Sequence, residues 1–167
     1  MAEIITIRSY QFVDWPVVWS LLEPVFRAGE TYAFSPDISE VEARRVWVEL
    51  PSATYVALAG DHKIVGTYYI KPNQPALGSH VCNCGYIVGE SARGKGVASA
   101  MCRHSQQMAI EQNFRAMQFN LVVSTNEAAV RLWQKLGFEI VGKLHQAFRH
   151  RQQGFVDAFV MYKWLDS

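Results

Sequence analysis

The most constraining feature of the sequence is a strand pattern that runs through a two-glycine turn directly into a helix pattern. Apolar residues end at Ile87-Val88, glycines stand at Gly94 and Gly96, and an amphipathic repeat follows. The first amides of a helix lack intrahelical partners and lie at the positive end of the helix dipole. Because glycine lets a ligand approach the backbone closely, this turn with its cations Arg93 and Lys95 predicts a phosphate site. A glycine-rich turn with two solvated cations is the alternative interpretation of these residues alone.

Apolar periodicity divides the rest of the chain into short strands and amphipathic helices. Asp14 is expected to cap the first helix, which has Pro16 in its first turn and ends at Gly29. Strands alternate with helices in the second half, which predicts a sheet with some parallel pairing and helices packed against it. The predicted strands are 4–9, 53–59, 63–71, one ending at 86–88, 117–123, 139–144 and 155–164, with a polar loop over 145–154. The predicted helices are about 15–28, 39–49, 96–112 and 127–136.

Length and charge favour an ordinary globular protein. The 167 residues are expected to form one domain over 1–167, with enough apolar surface to need no disulfide or metal. A formal net charge of +1 argues against a dedicated nucleic-acid-binding protein. Residues 1–61 hold 4 basic and 9 acidic side chains, whereas residues 62–167 hold 12 and 6. An anionic ligand is therefore expected against the second half, unless this asymmetry is a chance property of two solvated surfaces.

The cysteines and the N-terminal residues bear on the compartment. Cys82, Cys84 and Cys102 are odd in number and suit neither a disulfide framework nor a zinc site. They are expected to be reduced thiols in a cytoplasmic protein. Residues 1–4 show no basic region before an apolar run, so no secretory signal is expected, and no stretch approaches the length of a membrane helix. The five histidines show no metal-ligand spacing, so no metal is expected.

Two separated motifs carry a family resemblance. The segment 93–98, Arg-Gly-Lys-Gly-Val-Ala, resembles the R/Q-x-x-G-x-G/A signature of the GNAT superfamily of acyl-CoA-dependent N-acyltransferases. The segment 126–138 resembles the second family signature, an Asn-led helix that ends in K-x-G-F. The element order agrees over nearly the whole chain. The resemblance implies an α/β (α+β) GNAT fold with a mixed, mostly antiparallel twisted sheet of about seven strands and about four flanking helices.

The resemblance also implies acetyl-CoA as the cofactor and assigns it a set of residues. Backbone N–H groups of the turn would hold the CoA pyrophosphate, the strand at Ile87 and Val88 would pair with the pantetheine arm, and Asn126 would contact the cofactor. Trp133 stands where many family members have a tyrosine that protonates the leaving thiolate; an indole N–H cannot give up a proton near neutral pH. Trp133 is therefore expected to form core or pocket wall. The cofactor-binding set is Ile87, Val88, Arg93, Gly94, Lys95, Gly96, Val97, Ala98, Asn126 and Trp133.

Candidate acceptor residues lie in three places. Glu30, in the loop after the first helix, is a hypothetical catalytic base or ammonium contact, with a solvated carboxylate as the alternative. Asn120, an amide in an apolar strand, could act at the acceptor or form a structural bridge. Arg149 or Arg151, in a basic stretch, could clamp a carboxylate or lie solvated in a turn. The candidate catalytic residues are Glu30 and Asn120, and the candidate substrate-binding residues are Glu30, Tyr32, Tyr69, Asn83, Tyr86, Asn120 and Arg149.

Within the superfamily, the strand Asn and Trp133 resemble acetyltransferases that detoxify proline analogues, and antibiotic- or herbicide-type enzymes have similar loops. The sequence thus predicts an acetyl-CoA-dependent N-acetyltransferase of a small amine, an amino or imino acid analogue. A CoA-binding regulatory protein without turnover and a protein N-acetyltransferase are the alternatives. No nucleic acid or membrane partner is expected, and a homodimer is implied by the resemblance alone.

Overall fold

Seven strands form one sheet in the computed structural model, which describes residues 4–166. Residues 1–3, which belong to the N-terminal segment where no secretory signal is expected, lie outside the described part of the chain. The strands are β1 (Ile5–Ser9), β2 (Ala53–Ala59), β3 (Lys63–Pro72), β4 (Val81–Val88), β5 (Ala116–Val123), β6 (Glu139–His150) and β7 (Gly154–Trp164). The helices are α1 (Trp15–Ala28), α2 (Glu40–Arg44, continued by a π-turn over Arg45–Glu49), α3 (Val97–Glu111) and α4 (Glu127–Lys135). The predicted α/β fold is confirmed.

The strand order places one parallel pair at the centre of the sheet. The order is β1-β2-β3-β4-β5-β7-β6, and every neighbouring pair is antiparallel except β4 with β5. These two strands pair only at Val81↔Ala116 and Cys82↔Met117. Residues 83–88 of β4 and 118–123 of β5 continue as strands without pairing to each other. We call the space between these two segments the wedge.

The two faces of the sheet carry separate cores. One core packs α3 and α4 against the sheet and includes Cys84, Met101 and Trp133. The other packs α1 and α2 on the opposite face and includes Tyr69 and Ile87. Because side chains alternate along a strand, β2, β3 and β4 each contribute residues to both cores. The two helical layers thus leave the wedge as the place where the sheet itself opens.

The predicted polar loop over 145–154 was wrong in extent. Strand β6 continues to His150, and the turn to β7 spans only residues 151–153. A bulge at residues 145–147 lies opposite Asp157, whose carboxylate accepts the Gln146 N–H at 2.9 Å. This bond, with Lys143 and His145 nearby, holds the pKa of Asp157 below its usual value. The bulge interrupts strand alternation, which explains why the periodicity suggested a loop.

The predicted capping role of Asp14 was also wrong. Asp14 occupies the N-cap position of α1, but its carboxylate does not cap that helix. It instead forms two bonds to the Arg8 guanidinium, at 2.7 and 2.9 Å, and accepts the Gln11 N–H at 2.7 Å. The bidentate geometry suits a guanidinium and ties β1 to the start of α1.

Replacing Asp14 by asparagine is expected to lower the free energy of unfolding at pH 7 by about 1–2 kcal/mol. The hydrogen bond to Arg8, followed by the Gln11 amide, holds the pKa of Asp14 below its ordinary value. A carboxyl group whose pKa is lower in the folded than in the unfolded state stabilises the folded protein at pH values above the unfolded-state pKa. This contribution is lost as the pH falls through the folded-state pKa. Urea unfolding of both proteins should therefore show a gap that narrows below about pH 4. Glu127→Gln, which breaks only an exposed ion pair, is the control and should change stability by less than about 0.5 kcal/mol.

Candidate active site

The turn before α3 has the features of an anion cradle. Gly94 and Gly96 have φ of 73° and 82°, and a Cβ placed on either would meet no atom within 4 Å. The N-cap is Gly96, so no side chain caps the helix, and the first turn contains no acidic residue. The first bond along the helix runs from the Ala100 N–H to the Gly96 carbonyl at 3.0 Å. The amides of residues 97–99 therefore remain for a ligand.

The neighbours of this turn hold it in place and leave its cations exposed. Val97 is buried in the α3 core and anchors the start of the helix, while Ala98 is partly buried. Arg93 and Lys95 are exposed, and neither forms an ion pair within residues 4–166. The open glycines, the unbonded amides and the two cations are chemically suited to a pyrophosphate.

Asn83 marks the closed end of the wedge. Its side chain is buried, and its Nδ2 donates to the Gln118 carbonyl at 2.9 Å. The last backbone pair of β4 and β5 is Cys82↔Met117, and this side-chain bond joins the two strands at the next position. Further along β4, Ile87 packs into the α1 core and Val88 against the α3 core. The wedge therefore opens from Asn83 towards the glycine turn.

Tyr32 connects the loop after α1 to the backbone of β4. Its hydroxyl donates to the Tyr86 carbonyl at 2.8 Å. Its ring stacks on Phe34 with centroids 6.0 Å apart and meets Trp47 edge-on at 5.8 Å. Burial raises the pKa of Tyr32 well above its usual value, so the hydroxyl stays protonated and can donate. Tyr32 thereby fixes the loop against the wedge.

Tyr69 covers the middle of β4 on the same face as Tyr32. Its ring lies over Gly85, where an added Cβ would stand only 2.6 Å from the Tyr69 Cε1 atom. Its edge meets Trp47 with centroids 4.8 Å apart, and its hydroxyl donates weakly to Asn83 Oδ1 at 3.4 Å. Burial raises the pKa of Tyr69, so it too stays neutral. Glycine at position 85 is thus required by the ring above it.

Tyr86 and Trp133 lie on the opposite, α3 face. The Tyr86 hydroxyl is 2.7 Å from Ser105 Oγ and 3.5 Å from Met117 Sδ, and burial raises its pKa well above the usual value. The Trp133 ring packs 5.1 Å from both Tyr86 and Phe119. The sheet therefore separates the side chain of Tyr86 from Tyr69 and Asn83, so the three predicted substrate-binding residues do not lie together.

The Trp133 indole N–H has no hydrogen-bond partner among residues 4–166. Its ring is buried and forms part of the core beside α3, as expected.

Glu30 lies where the loop after α1 meets the turn between β6 and β7. It is partly buried and directly follows Gly29, whose carbonyl accepts the Arg151 N–H at 3.1 Å. The Arg151 guanidinium donates to the Arg27 carbonyl at 2.6 Å, while Arg149 is exposed at the end of β6. The structure thus brings the loop that holds Glu30 next to the turn that follows Arg149, so two of the three places with candidate acceptor residues adjoin.

His150 shapes that turn and was not foreseen. It is buried, and its Nδ1 accepts the N–H groups of Gln152 and Gln153, both at 3.2 Å. These two bonds hold the turn against the end of β6. A histidine beside a glutamine pair gives no periodic signal, so the sequence offered nothing that would identify it.

Asn120 forms a bridge on an exposed part of β5. Its Nδ2 donates to Asn73 Oδ1 at 2.6 Å, and its Oδ1 accepts from Gln118 Nε2 at 2.9 Å. Asn73 lies just after β3 and is anchored by its N–H to the Val81 carbonyl at 2.8 Å. Lys71, also absent from the sequence candidates, lies on β3 with its Nζ 5.3 Å from the Tyr69 ring centroid. Only pairing register reveals this grouping.

Asn126 occupies the N-cap of α4, but its side chain does not cap that helix and is free to bind a ligand. A groove of about 220 Å³ borders this position and a second of about 350 Å³ lies at the far end of α3, and neither includes the glycine turn or Glu30. The first groove is lined by Ser124, Glu127, Val130, Arg131 and Phe159, and the second by Ile110, Asn113, Phe114, Arg115 and Leu165.

Three features bear on metal, membrane and redox expectations. Within residues 4–166, no group of three or more His, Cys, Asp or Glu side chains is placed to hold a metal ion. None of the described helices is both long and apolar enough to cross a membrane. Cys82, Cys84 and Cys102 are free and buried, and burial raises the pKa of the Cys102 thiol to about 11.

Comparison with known proteins gives consistent matches. The model of the acetyltransferase (GNAT) family matches residues 15–138. The N-acetyltransferase aca1 of Schizosaccharomyces pombe is 38% identical over 98 residues, which cover 58% of this chain and 47% of that protein, so the match spans about half of the relative. The L-amino acid N-acetyltransferase AaaT of Escherichia coli is 32% identical over 102 residues, 60% of this chain and 62% of that protein.

Solved structures match over nearly the whole chain. A GCN5-related N-acetyltransferase from Kribbella flavida superposes with a TM-score of 0.91 at 38% identity, covering 96% of this chain and 98% of that one. A phosphinothricin acetyltransferase from Sinorhizobium meliloti, solved in complex with AcCoA, gives a TM-score of 0.85 at 18% identity, covering 99% and 89%. The second likeness shows the fold alone.

Proposed function

Since this chain belongs to the acetyltransferase (GNAT) family, we propose that it is an acetyl-CoA-dependent N-acetyltransferase that acts on a small amine. The observation that carries the proposal is the uncapped glycine turn at 94–96, which faces open space beside the wedge. A phosphate would bind at the glycine turn, and an extended chain attached to that phosphate would lie in the wedge. The acceptor is an amino or imino acid analogue.

The chain's own residues divide the binding of acetyl-CoA between them. The amides of 97–99, with Gly94, Gly96, Arg93 and Lys95, bind the pyrophosphate. The backbone at Ile87 and Val88, which pairs with β3 but not with β5, accompanies the pantetheine arm, and the side-chain amide of Asn126 binds it from α4. When bound, acetyl-CoA supplies the acetyl thioester.

Glu30 serves the acceptor amine. An amine with a pKa of about 10.4 requires about 4–5 kcal/mol to lose its proton at pH 7. The Glu30 carboxylate, acting directly or through one water, takes up that proton, and the free amine then attacks the acetyl carbon. The nitrogen loses its second proton to solvent as the tetrahedral intermediate collapses to the amide. Positioning in the wedge contributes roughly 7–11 kcal/mol to the acceleration. Tyr32, Tyr69 and Asn83 shape this side, and Asn120 orients the acceptor.

The leaving sulfur is served by Trp133. The carbon–sulfur bond breaks and the electron pair stays on sulfur. A CoA thiol has a pKa of about 8.5, so the thiolate can leave before it is protonated by solvent. The indole N–H donates a hydrogen bond to the developing charge without transferring its proton.

Compartment and assembly follow as further parts of the proposal. Three buried, free thiols support a reducing, cytoplasmic location. The homodimer is proposed from the family resemblance.

Thiol release from acetyl-CoA, measured with a panel of amines, tests the function. The panel holds amino acids, proline analogues, polyamines, aminoglycosides and short peptides, and CoA is titrated calorimetrically beside it. Turnover with amino or imino acids is the expected result. Tight CoA binding without turnover would favour a regulatory protein, and turnover confined to peptides would favour a protein acetyltransferase.

Glu30→Gln is expected to reduce kcat/KM at pH 7 by roughly 100-fold or more, because the general base is lost. The deficit should shrink as the pH approaches about 10, where the amine is already free. Asp37→Asn removes an exposed carboxylate from the same loop and should leave the profile unchanged. An equal loss at every pH would remove Glu30 from the role of base.

A further inference from the structure

We propose that His150 is a positioning residue that holds Glu30 in place through the turn between β6 and β7. This inference rests on the proposed function, in which Glu30 is the general base, and goes beyond it by naming what fixes that base. The turn spans residues 151–153, and we call it the 151–153 turn. Its link to Glu30 is Arg151.

The position of Glu30 depends on its backbone. Its side chain is only partly buried, and its carboxylate forms no ion pair within residues 4–166. Gly29 ends α1 with a left-handed φ of 65°, so the chain leaves the helix axis there. The Gly29 carbonyl and the Glu30 N–H belong to one planar peptide group. A bond to that carbonyl therefore fixes the point from which the Glu30 side chain begins.

Arg151 makes two bonds to the end of α1, and both cross from the 151–153 turn. Its main-chain N–H donates to the Gly29 carbonyl at 3.1 Å. Its guanidinium donates to the Arg27 carbonyl at 2.6 Å. The last carbonyls of a helix have no partner within that helix, and the Arg27 carbonyl is one of them. The turn thus caps α1 from a distant part of the chain, next to Glu30.

His150 holds the 151–153 turn in the conformation that makes these bonds. Its ring is buried, and its Nδ1 accepts the N–H groups of Gln152 and Gln153, both at 3.2 Å. A side chain that binds main-chain groups two and three residues ahead of it closes a local turn of the backbone. Arg151 lies inside the turn that is closed in this way. The ring also meets Phe148 edge-on, with centroids 6.5 Å apart, which orients it on β6.

The loop after α1 has a second attachment that does not involve the 151–153 turn. The Tyr32 hydroxyl, two residues beyond Glu30, donates to the Tyr86 carbonyl at 2.8 Å. Loss of the bond to Gly29 would therefore release Glu30 locally, while Tyr32 keeps the loop against the wedge. A displacement of about 1 Å at a reacting group can lower a rate by roughly 100-fold. A local release is thus enough to impair the base without unfolding the site.

Two substitutions separate the acceptor atom of His150 from its ring. His150→Asn keeps an acceptor, because an asparagine oxygen binds the N–H two residues ahead of it, but it removes the ring. His150→Phe keeps an aromatic ring beside Phe148 and removes the acceptor. Gln153→Ala changes an exposed side chain of the same turn and retains its N–H, so it is the control.

Amide hydrogen exchange followed by NMR tests the contact without relying on activity. In His150→Phe, the amides of Arg151 and Gln152 are expected to exchange at least about tenfold faster than in wild type, because the turn opens. His150→Asn and Gln153→Ala should preserve the slow exchange of both amides. An unchanged rate at Arg151 in His150→Phe would show that His150 does not hold the turn, and would overturn the inference.

A double-mutant cycle tests whether His150 acts through Glu30, using whichever amine gives the highest rate in the acceptor panel. His150→Phe alone is expected to lower kcat/KM by about tenfold or more, mostly through kcat, and to leave the CoA dissociation constant unchanged. In the Glu30→Gln background the same change should lower kcat/KM by less than about twofold, because the base that it positions is already absent. His150→Asn should keep most of the wild-type rate.

Each other outcome counts against a distinct part of the proposal. Losses that add in the cycle would give His150 a role apart from Glu30, and equal losses in His150→Asn and His150→Phe would assign the effect to the ring; either result overturns the inference alone. If His150→Phe does not fold, Arg151→Met removes the bond to the Arg27 carbonyl and enters the cycle with the same expectation of non-additivity. A wild-type protein that acetylates no amine of the panel contradicts the proposed function, and with it the role of His150 in catalysis.

Discussion

The Gly96→Trp variant is expected to lose CoA binding, with a dissociation constant raised at least about 100-fold. Gly96 has a φ of 82° and borders open space, so an indole there would occupy the region that a phosphate must enter. Loss of two charge-assisted bonds from the amides after it costs about 3–6 kcal/mol, and each 1.4 kcal/mol is tenfold in affinity. Calorimetric titration of CoA measures the change.

Gly154→Trp separates this effect from backbone strain. Gly154 has a φ of 75° and also borders open space, but it lies at the start of β7. A left-handed conformation costs an L residue about 1–2 kcal/mol at either position, so both variants should lose similar stability. Gly154→Trp should bind CoA as wild type does. Equal CoA affinity in the two variants would remove the phosphate role from the turn at 94–96.

Replacing Trp47 by alanine is expected to lower the free energy of unfolding by about 3–5 kcal/mol. Trp47 is fully buried on the α1 face. It packs against Phe26, Tyr32 and Tyr69 and donates its indole N–H to Thr67 Oγ1 at 3.1 Å. Removal leaves a large cavity beneath the two tyrosines that border the wedge. Urea unfolding followed by circular dichroism measures the loss.

Trp164→Ala provides the matched control. Trp164 is 53% exposed at the end of β7, so the same change of residue type should cost less than about 1 kcal/mol. A small effect for Trp47→Ala, equal to that of Trp164→Ala, would show that the aromatic cluster under the wedge does not stabilise the fold.

Local patterns predicted most of the elements because each element carries its own signal. A Gly-Asp turn between two apolar strands predicted the hairpin of β2 and β3, and the apolar spacing after Gly96 predicted α3. Both predictions were confirmed. The prediction that β6 ends at residue 144 was wrong, because a bulge held by Asp157 removes the alternation that identifies a strand. Asp14 was misassigned because its partner, Arg8, belongs to another element.

The candidate site was only partly accessible to sequence reasoning. The glycine turn is contiguous, so its residues could be identified together. Tyr69 and Tyr86 are both tyrosines on neighbouring strands, yet they face opposite cores, and only the register separates them. Residue roles in the wedge stay predictions until variants are measured.

The divergence of β4 and β5 is the structural basis of the proposed chemistry. Two parallel strands that stop pairing after Cys82 and Met117 leave backbone groups free inside a sheet. Such groups require partners, and a ligand that enters between the strands can provide them. Asn83 limits how far the opening extends, since its amide closes the gap to Gln118.

The most direct measurement is mass spectrometry of the acceptor after incubation of the wild-type protein with acetyl-CoA that carries a deuterated acetyl group. The account predicts an amide of the small amine that contains the labelled acetyl group, formed in equal amount to the released thiol. Thiol release without a labelled amide, or CoA binding without either product, would contradict acetyl transfer as the activity of this chain.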